Sequence, residues 1–484
     1  MISILAALSS SITQYLIVWN YNHNGEVCML NLFHLSAFPN HPFCVGPKER
    51  ANVCPASFIW KDEELNKDCS ARELENSSLR ITHIQGKCSP FRLPNTTWWS
   101  AIMESIKGDE HRYRAIMKRS KTPISPQEDV DVPLTPRWKD GGNYIVKLGF
   151  GKPIQNFYLE VDTGSDVTWI PCVSCSSCLT RRFRPSKSSA YKYLTCASKL
   201  CQDLGLCGND KSINCTATQT YGDQTEVGML MSTETLSVSS QYVKEFVFGC
   251  AYSVKEPFVQ TTLGLVGFGR GSLSFVSETA ALYGRTFSYC LPSVGSSAFT
   301  GSLRLGKAAL SVPGLKFTPL LSNAQFPSYY FLGLTGISVG KELVSIPTGT
   351  RKGTIINSGT VISRLVKPAY SAMRDSFRRQ MSNLTLARPS EPFDTCYKVP
   401  KKAVKFPVIT LHFGHSLNWT LPMENTLFPA NARGSVLCLA FALSPDGGDS
   451  NMVSIIGNYQ QQNFRVVYDV PGSRLGITPE ICDA

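Results

Sequence analysis

From Tyr144 onward, apolar residues recur in short runs rich in Val, Ile, Thr, Tyr and Phe, punctuated by glycine and proline. Such runs predict strands joined by turns. Helical periodicity is confined to short stretches, such as Pro368 to Met381. Upstream, Trp98 to Lys121 is charged and reads as a helix, followed by a Pro/Asp-rich linker from Pro123 to Pro136. Gly141-Gly142-Asn143-Tyr144 then opens the strands.

The pattern repeats. Phe157-Tyr-Leu-Glu-Val-Asp162-Thr163-Gly164-Ser165 and Gly353-Thr-Ile-Ile-Asn357-Ser358-Gly359-Thr360 both read as an apolar strand, a small polar residue, a hydroxyl residue and a glycine. The second copy lies 195 residues after the first and carries an amide where the first carries an acid. In each half, two apolar residues and a glycine follow roughly a hundred residues later. These are Leu265-Val266-Gly267 and Ile455-Ile456-Gly457. Twofold repetition of this kind predicts two related lobes around one cleft, each a barrel-like β unit. Gly264-Leu-Val-Gly-Phe-Gly269-Arg-Gly271 lacks the Lys-Ser/Thr and the βαβ context of a phosphate loop.

Composition narrows the class. With 484 residues, 43% hydrophobic and 17% charged, the chain can bury a core in two or three domains. The net charge is +12, with the basic excess after Tyr144. No dense Lys/Arg run with interleaved aromatics occurs, so nucleic acid is not an expected partner. The charge reads as a solvated basic surface, with adhesion to an acidic polysaccharide matrix as the alternative. No apolar run is long enough for a spanning helix.

The chain has 17 cysteines, five of them before the first repeat motif and seven crowded between Cys172 and Cys215. A clustered set predicts disulfides and an oxidising compartment. Zinc is the rival, because Cys172-x-x-Cys175-x-x-Cys178 has ligand-like spacing, but no histidine lies between Cys172 and Cys215. Sequons at Asn76, Asn95, Asn214, Asn383 and Asn418 also fit secretion. Residues 1–27 read as a degenerate signal segment, atypical because residues 1–19 lack Lys and Arg and are interrupted by Ser9-Ser-Ser and Gln14. Residues 28–140 read as a prosegment and linker, with an ordinary surface helix as the alternative for 98–121. Residues 141–310 and 311–484 read as the N-terminal and C-terminal lobes.

The ordered motifs resemble the pepsin-like aspartic proteases, above all the nepenthesin-type plant family. The resemblance runs from about Leu79 to Cys482. It rests on Asp162-Thr-Gly-Ser with Trp169 after it, Tyr221-Gly222-Asp223, Phe248-Gly-Cys250, Phe287-Ser-Tyr-Cys290, and Ile455-Ile-Gly-Asn-Tyr-Gln-Gln-Gln-Asn463. It implies an all-β bilobal fold with a central cleft and a disulfide-rich insertion in the N-terminal lobe. It implies the pairs Cys172–Cys175, Cys178–Cys250, Cys196–Cys215, Cys201–Cys207, Cys290–Cys482 and Cys396–Cys438. It places Asp162 and Asn357 at the catalytic positions. Thr163, Gly164, Ser165, Ser358, Gly359 and Thr360 support them, and Tyr221, Gly222 and Asp223 form a flap over the substrate. No metal or organic cofactor is implied. The expected partner is a polypeptide, and the protein is read as a monomer.

The family's chemistry uses two carboxyl groups sharing one proton, one as base toward water and one as acid toward the scissile carbonyl. Asn357 departs from that pattern, and Gln224 departs more mildly where the family usually has glycine. An amide donates and accepts hydrogen bonds but does not exchange the required proton. Asp162 is then expected to act as a single carboxylate. The expected function is an aspartic-endopeptidase-family protein that binds extended polypeptides and whose water-mediated hydrolysis is impaired. A non-catalytic pseudoprotease or a xylanase-inhibitor-like binding protein is the alternative. A sequencing or single-base allelic change is an alternative origin of Asn357, and deamidation of Asn357-Ser358 would restore the acid.

Overall fold

The computed structural model describes residues 77–86 and 88–92, the helical positions 102, 103, 105, 106, 109, 113 and 114, and most of 144–482. Within 144–482 it leaves out 179, 207–213, 221–225, 256–262, 294–299, 347–352, 401–403, 432–433 and 446–452. It also gives the backbone of five strands between residues 5 and 52. The chain divides into two compact units, Met1–Glu64 and Leu65–Ala484. The first holds a five-stranded antiparallel sheet of its own. The flap Tyr221-Gly222-Asp223 and Cys207 lie outside the described residues.

The second unit is the all-β bilobal body expected from the strand pattern. Its two halves repeat one strand order. In the first, Tyr144–Phe150, Gln155–Asp162, Gly264–Gly267, Trp169–Pro171 and Gln241–Lys255 are successive neighbours. In the second, Phe331–Leu332, Thr354–Ile356, Ser454–Ile456, Ser363–Leu365 and Phe441–Leu443 take the same order. The pairing directions agree as well. Gly267 lies beside Asp162 in a parallel pair, and Ile456 lies beside Ile356 in another. Leu265 meets Trp169 antiparallel, as Ile455 meets Arg364. In the first lobe Glu226–Val238 pairs with both Gln241–Lys255 and Tyr144–Phe150, so the strands close into a ring and leave no edge there.

The glycines ending the two apolar pairs are required by close approach. A Cβ on Gly267 would sit 2.1 Å from the Asp166 carbonyl oxygen, and one on Gly457 would sit 2.4 Å from that of Val361. Both contacts are with backbone, which cannot give way, so the repeat admits no side chain at either place.

A further set of strands joins the halves. Thr286–Cys290 and Thr300–Leu305 pair with each other, and Thr286–Cys290 also pairs with Phe464–Asp469, whose other neighbour is Arg474–Pro479. Ser78–His83 inserts between Thr300–Leu305 and Tyr144–Phe150. Its Ile81 is fully buried. Burying one such side chain contributes about 1.5–3 kcal/mol, so in the uncleaved chain this upstream strand adds to the core. The helix Lys367–Gln380 buries Ala369, Tyr370, Met373 and Phe377 on one face, matching the periodicity seen in the sequence.

The cysteine crowding does form disulfides, but with three different pairings. Cys172 bonds Cys250 and Cys175 bonds Cys178, in place of Cys172–Cys175 and Cys178–Cys250. The cause is lateral. Cys172 follows Trp169–Pro171, which runs parallel to Gly249–Ala251, so Cys250 is its sideways neighbour at a Cα separation of 5.4 Å. Cys201 bonds Cys215, in place of Cys201–Cys207 and Cys196–Cys215. The short helix Lys199–Asp203 brings Cys201 within 6.0 Å of Cys215, measured Cα to Cα. Cys88 and Cys196 are also disulfide-bonded. Cys290–Cys482 and Cys396–Cys438 form, the latter between directly opposed strand residues.

Candidate active site

Each half delivers its motif from the end of a buried strand. In Gln155–Asp162, the residues Phe157, Leu159 and Val161 are buried, and Asp162 stands at the C-terminal end. The backbone N–H of Phe268 donates to the Asp162 carbonyl at 2.7 Å, fixing where the turn begins. Asn357 follows Thr354–Ile356, and its N–H donates to the Ile456 carbonyl at 3.0 Å. Both turns then close the same way. Gly164 N–H donates to Asp162 Oδ1 at 2.9 Å, and Gly359 N–H donates to Asn357 Oδ1 at 2.8 Å.

The turns are tied directly to one another. Thr163 N–H donates to Ser358 Oγ at 3.1 Å, and Ser358 N–H donates to Thr163 Oγ1 at 3.0 Å. Ser358 Oγ–H in turn donates to the Val161 carbonyl at 2.9 Å. Asp162 is 2% exposed and Asn357 is fully buried. The glycine turns engage one oxygen of each side chain. This leaves Asp162 Oδ2 and Asn357 Nδ2 as the atoms outside the two turns. Asn357 Nδ2 is buried with no hydrogen-bond acceptor among the described residues.

Several residues shape this centre that the sequence reading did not single out. Thr168 and Ser363 each lie six positions after the polar residue of their motif. Their hydroxyls accept the N–H groups of Gly267 and Gly457 at 3.3 and 3.0 Å. That shared offset was visible in the sequence. Asn458 Nδ2 donates to the Ser358 carbonyl at 2.8 Å, and Gln461 Nε2 donates to the Asn357 carbonyl at 3.1 Å. Tyr289 O–H donates to Gln461 Oε1 and lies 2.7 Å from the Tyr468 hydroxyl. The run Asn458 to Asn463, quoted above only as a motif, is therefore the scaffold of the second turn.

Asp166 is buried beside the first turn. Its carboxylate accepts from Ser328 Oγ–H and from Gly271 N–H, the latter at 2.8 Å. Burial lifts its carboxyl above the usual carboxylate range. The two hydrogen bonds oppose that shift, and the nearby Asp162 charge adds to it. Ser165, expected among the supporting residues, has its hydroxyl buried without a partner among the described residues.

Paired turns at the ends of duplicated strands, locked by reciprocal hydroxyl bonds, define the bilobal pepsin-like class. Solved proteins of this architecture superpose on the chain. The crystal structure of edgp matches with a TM-score of 0.57 at 21% identity, covering 70% of this chain and 92% of that one. Basic 7S globulin from soybean matches with a TM-score of 0.57 at 21% identity, covering 69% and 92%. Residues 144–307 match the family described as "Xylanase inhibitor N-terminal", and residues 329–479 match "Xylanase inhibitor C-terminal". Aspartyl protease AED3 of Arabidopsis thaliana is 35% identical over 84% of this chain and 92% of its own length. Aspartic proteinase nepenthesin-2 of Nepenthes gracilis is 34% identical over 81% and 88%. The chain belongs to the plant aspartyl protease family.

Proposed function

We propose that this protein binds extended polypeptides across the Asp162–Asn357 pair and hydrolyses them poorly or not at all. The observation that carries this reading is the reciprocal bonding of Thr163 and Ser358, which holds one carboxylate and one carboxamide in matching turns. Asp162 can accept a proton from water. Asn357 can hydrogen-bond a substrate carbonyl but has no proton to deliver to it. Losing one positioned acid–base group costs about 10²–10⁴ in rate. Residues 28–140 then act as a prosegment, and Tyr221, Gly222 and Asp223 as a flap. Secretion is supported by five described disulfides and by the sequons.

The test is digestion of denatured globin at acidic pH by the processed protein, with and without a statine-type inhibitor. The expected outcome is no inhibitable cleavage. Inhibitable cleavage by protein in which the tryptic peptide Gly353–Arg364 still has the mass of the Asn357 form would reject the reading. Finding the Asp form of that peptide would instead indicate deamidation.

A second reading is favoured by the family descriptions matched on both lobes, that of a protein inhibitor of glycoside hydrolases. Nanomolar inhibition of a xylanase from a panel would support it, and no inhibition across the panel would discard it.

A further inference from the structure

The helical positions Ile102, Ile106, Asp109 and Tyr113 are all buried. Their spacings of four, three and four place them on one helix face. Ile102 and Ile106 pack in one cluster with Val361, Ile362, Phe393, Phe428 and Tyr459. Tyr113 O–H donates to the Val453 carbonyl at 2.7 Å, at the entry to the strand Ser454–Ile456. Between the two isoleucines and the tyrosine stands an acid, which is 4% exposed. Asp109 Oδ2 accepts from Val361 N–H at 2.8 Å and from Ile362 N–H at 2.7 Å. These donors lie four and five positions after Asn357, where the chain has left one strand and not yet begun the next. The same peptide is tied on its other side, since the Val361 carbonyl accepts from Tyr459 N–H at 2.9 Å, and a Cβ on Gly457 would lie 2.4 Å from that carbonyl oxygen. Successive backbone N–H groups converging on one point form an anion-binding concavity.

We propose that the Val361 and Ile362 N–H groups form a carboxylate-binding subsite beside Asn357. Its ligand is a polypeptide segment with an acidic residue flanked by apolar residues seven and three positions before it and an aromatic residue four after it. The chain's own Asp109, with Ile102, Ile106 and Tyr113 beside it, fills the subsite in cis. This deepens the polypeptide-binding reading and rests on it. A charged acceptor on two N–H groups gives stronger, more directional bonds than a neutral one, so the acid decides what the wall accepts.

The experiment uses the full chain and a fluorescein-labelled peptide of residues 98–121. In the variants Asp109→Ala and Asp109→Asn the internal segment loses its anionic anchor. The labelled peptide is expected to bind either variant at least about 10-fold more tightly than it binds the unmodified chain. A peptide carrying Asp109→Asn is expected to bind about 10-fold more weakly than the parent peptide. Hydrogen exchange at Val361 and Ile362 is expected to accelerate in both variants while Ser454–Ile456 stays protected. This second readout serves if Asp109→Ala fails to fold, since Asp109→Asn preserves shape. Equal affinity of the two peptides, or unchanged exchange at Val361 and Ile362, would overturn the subsite. Binding of a statine-type inhibitor, measured in parallel, reports on the Asp162 cleft alone. Inhibitor binding without acid-dependent peptide binding sinks only the subsite. Acid-dependent peptide binding without inhibitor binding sinks the cleft reading and leaves the subsite standing.

Discussion

Thr163 and Ser358, 195 residues apart, exchange hydrogen bonds between the N–H of each and the hydroxyl of the other. Ser358 contributes more, because its hydroxyl also donates to the Val161 carbonyl at 2.9 Å. All of these groups are buried, so none can turn to water when a partner is removed. Ser358→Ala orphans Thr163 N–H and the Val161 carbonyl. Each buried unsatisfied group costs about 1–3 kcal/mol. The expected loss is about 2–5 kcal/mol in denaturant unfolding. Ser358→Thr keeps the hydroxyl and is expected to lose much less. A loss below about 0.5 kcal/mol for Ser358→Ala would mean that the bonds do not hold the turns together.

Asp166 makes the first lobe sensitive to pH. Its carboxyl is raised above the ordinary aspartate value, chiefly by burial. The folded state therefore holds the proton more tightly than the unfolded chain does. The corresponding stability is fully present below the unfolded pKa and is lost as pH rises through the raised folded value. Asp166→Asn cannot titrate and is expected to flatten that part of the curve. Thermal unfolding across pH 3–7, compared between the two proteins, checks this. A parallel pair of curves would remove Asp166 from the account.

The sequence made the duplication legible because the repeat is local on each side: an apolar strand, one polar residue, a hydroxyl residue, a glycine. Asp162 and Asn357 could be found from that pattern, and the structure sets them in matching turns. What stayed hidden depended on lateral neighbours. Cys172 bonds Cys250 because their strands lie side by side, and no spacing within Cys172 to Cys215 reveals that. Asp109 was one charge among many in a stretch read as a prosegment helix. Its partners Val361 and Ile362 are more than 250 residues away, so only folding identifies it as a buried acceptor.

Arg465 illustrates a second kind of inter-lobe dependence. It is fully buried, donates from Nε to Glu480 Oε2 at 2.9 Å, and donates from its two terminal nitrogens to the Ser302 carbonyl and hydroxyl oxygens at 3.1 and 2.7 Å. Ser302 belongs to the strand Thr300–Leu305 and Arg465 to Phe464–Asp469. The guanidinium therefore ties the two halves beside the Cys290–Cys482 bridge. Removing one partner leaves a buried charge uncompensated. Glu480→Ala is expected to cost about 3 kcal/mol, whereas replacing both members by apolar residues costs less. A double-mutant cycle by chemical denaturation measures the coupling, and a coupling near zero would show that solvent already compensates Arg465.

Asn357→Asp tests the centre itself, and it should alter two properties in opposite senses. The carboxyl restores a second exchangeable proton opposite Asp162, so acid cleavage of globin is expected to rise by about 10²–10⁴. It also removes a buried carboxamide nitrogen that has no acceptor among the described residues. Two neighbouring carboxyl groups cannot both ionise cheaply, so the new pair holds a proton that the unfolded chain gives up. The variant is therefore expected to match or exceed the parent in stability at acid pH and to fall below it as pH rises toward neutrality. Thermal unfolding at several pH values reads the second effect independently of activity. A variant that gains this pH dependence yet cleaves nothing would place the fault beyond Asn357, in the flap or the cleft walls. One that gains neither would mean that residue 357 does not face Asp162 across a shared proton.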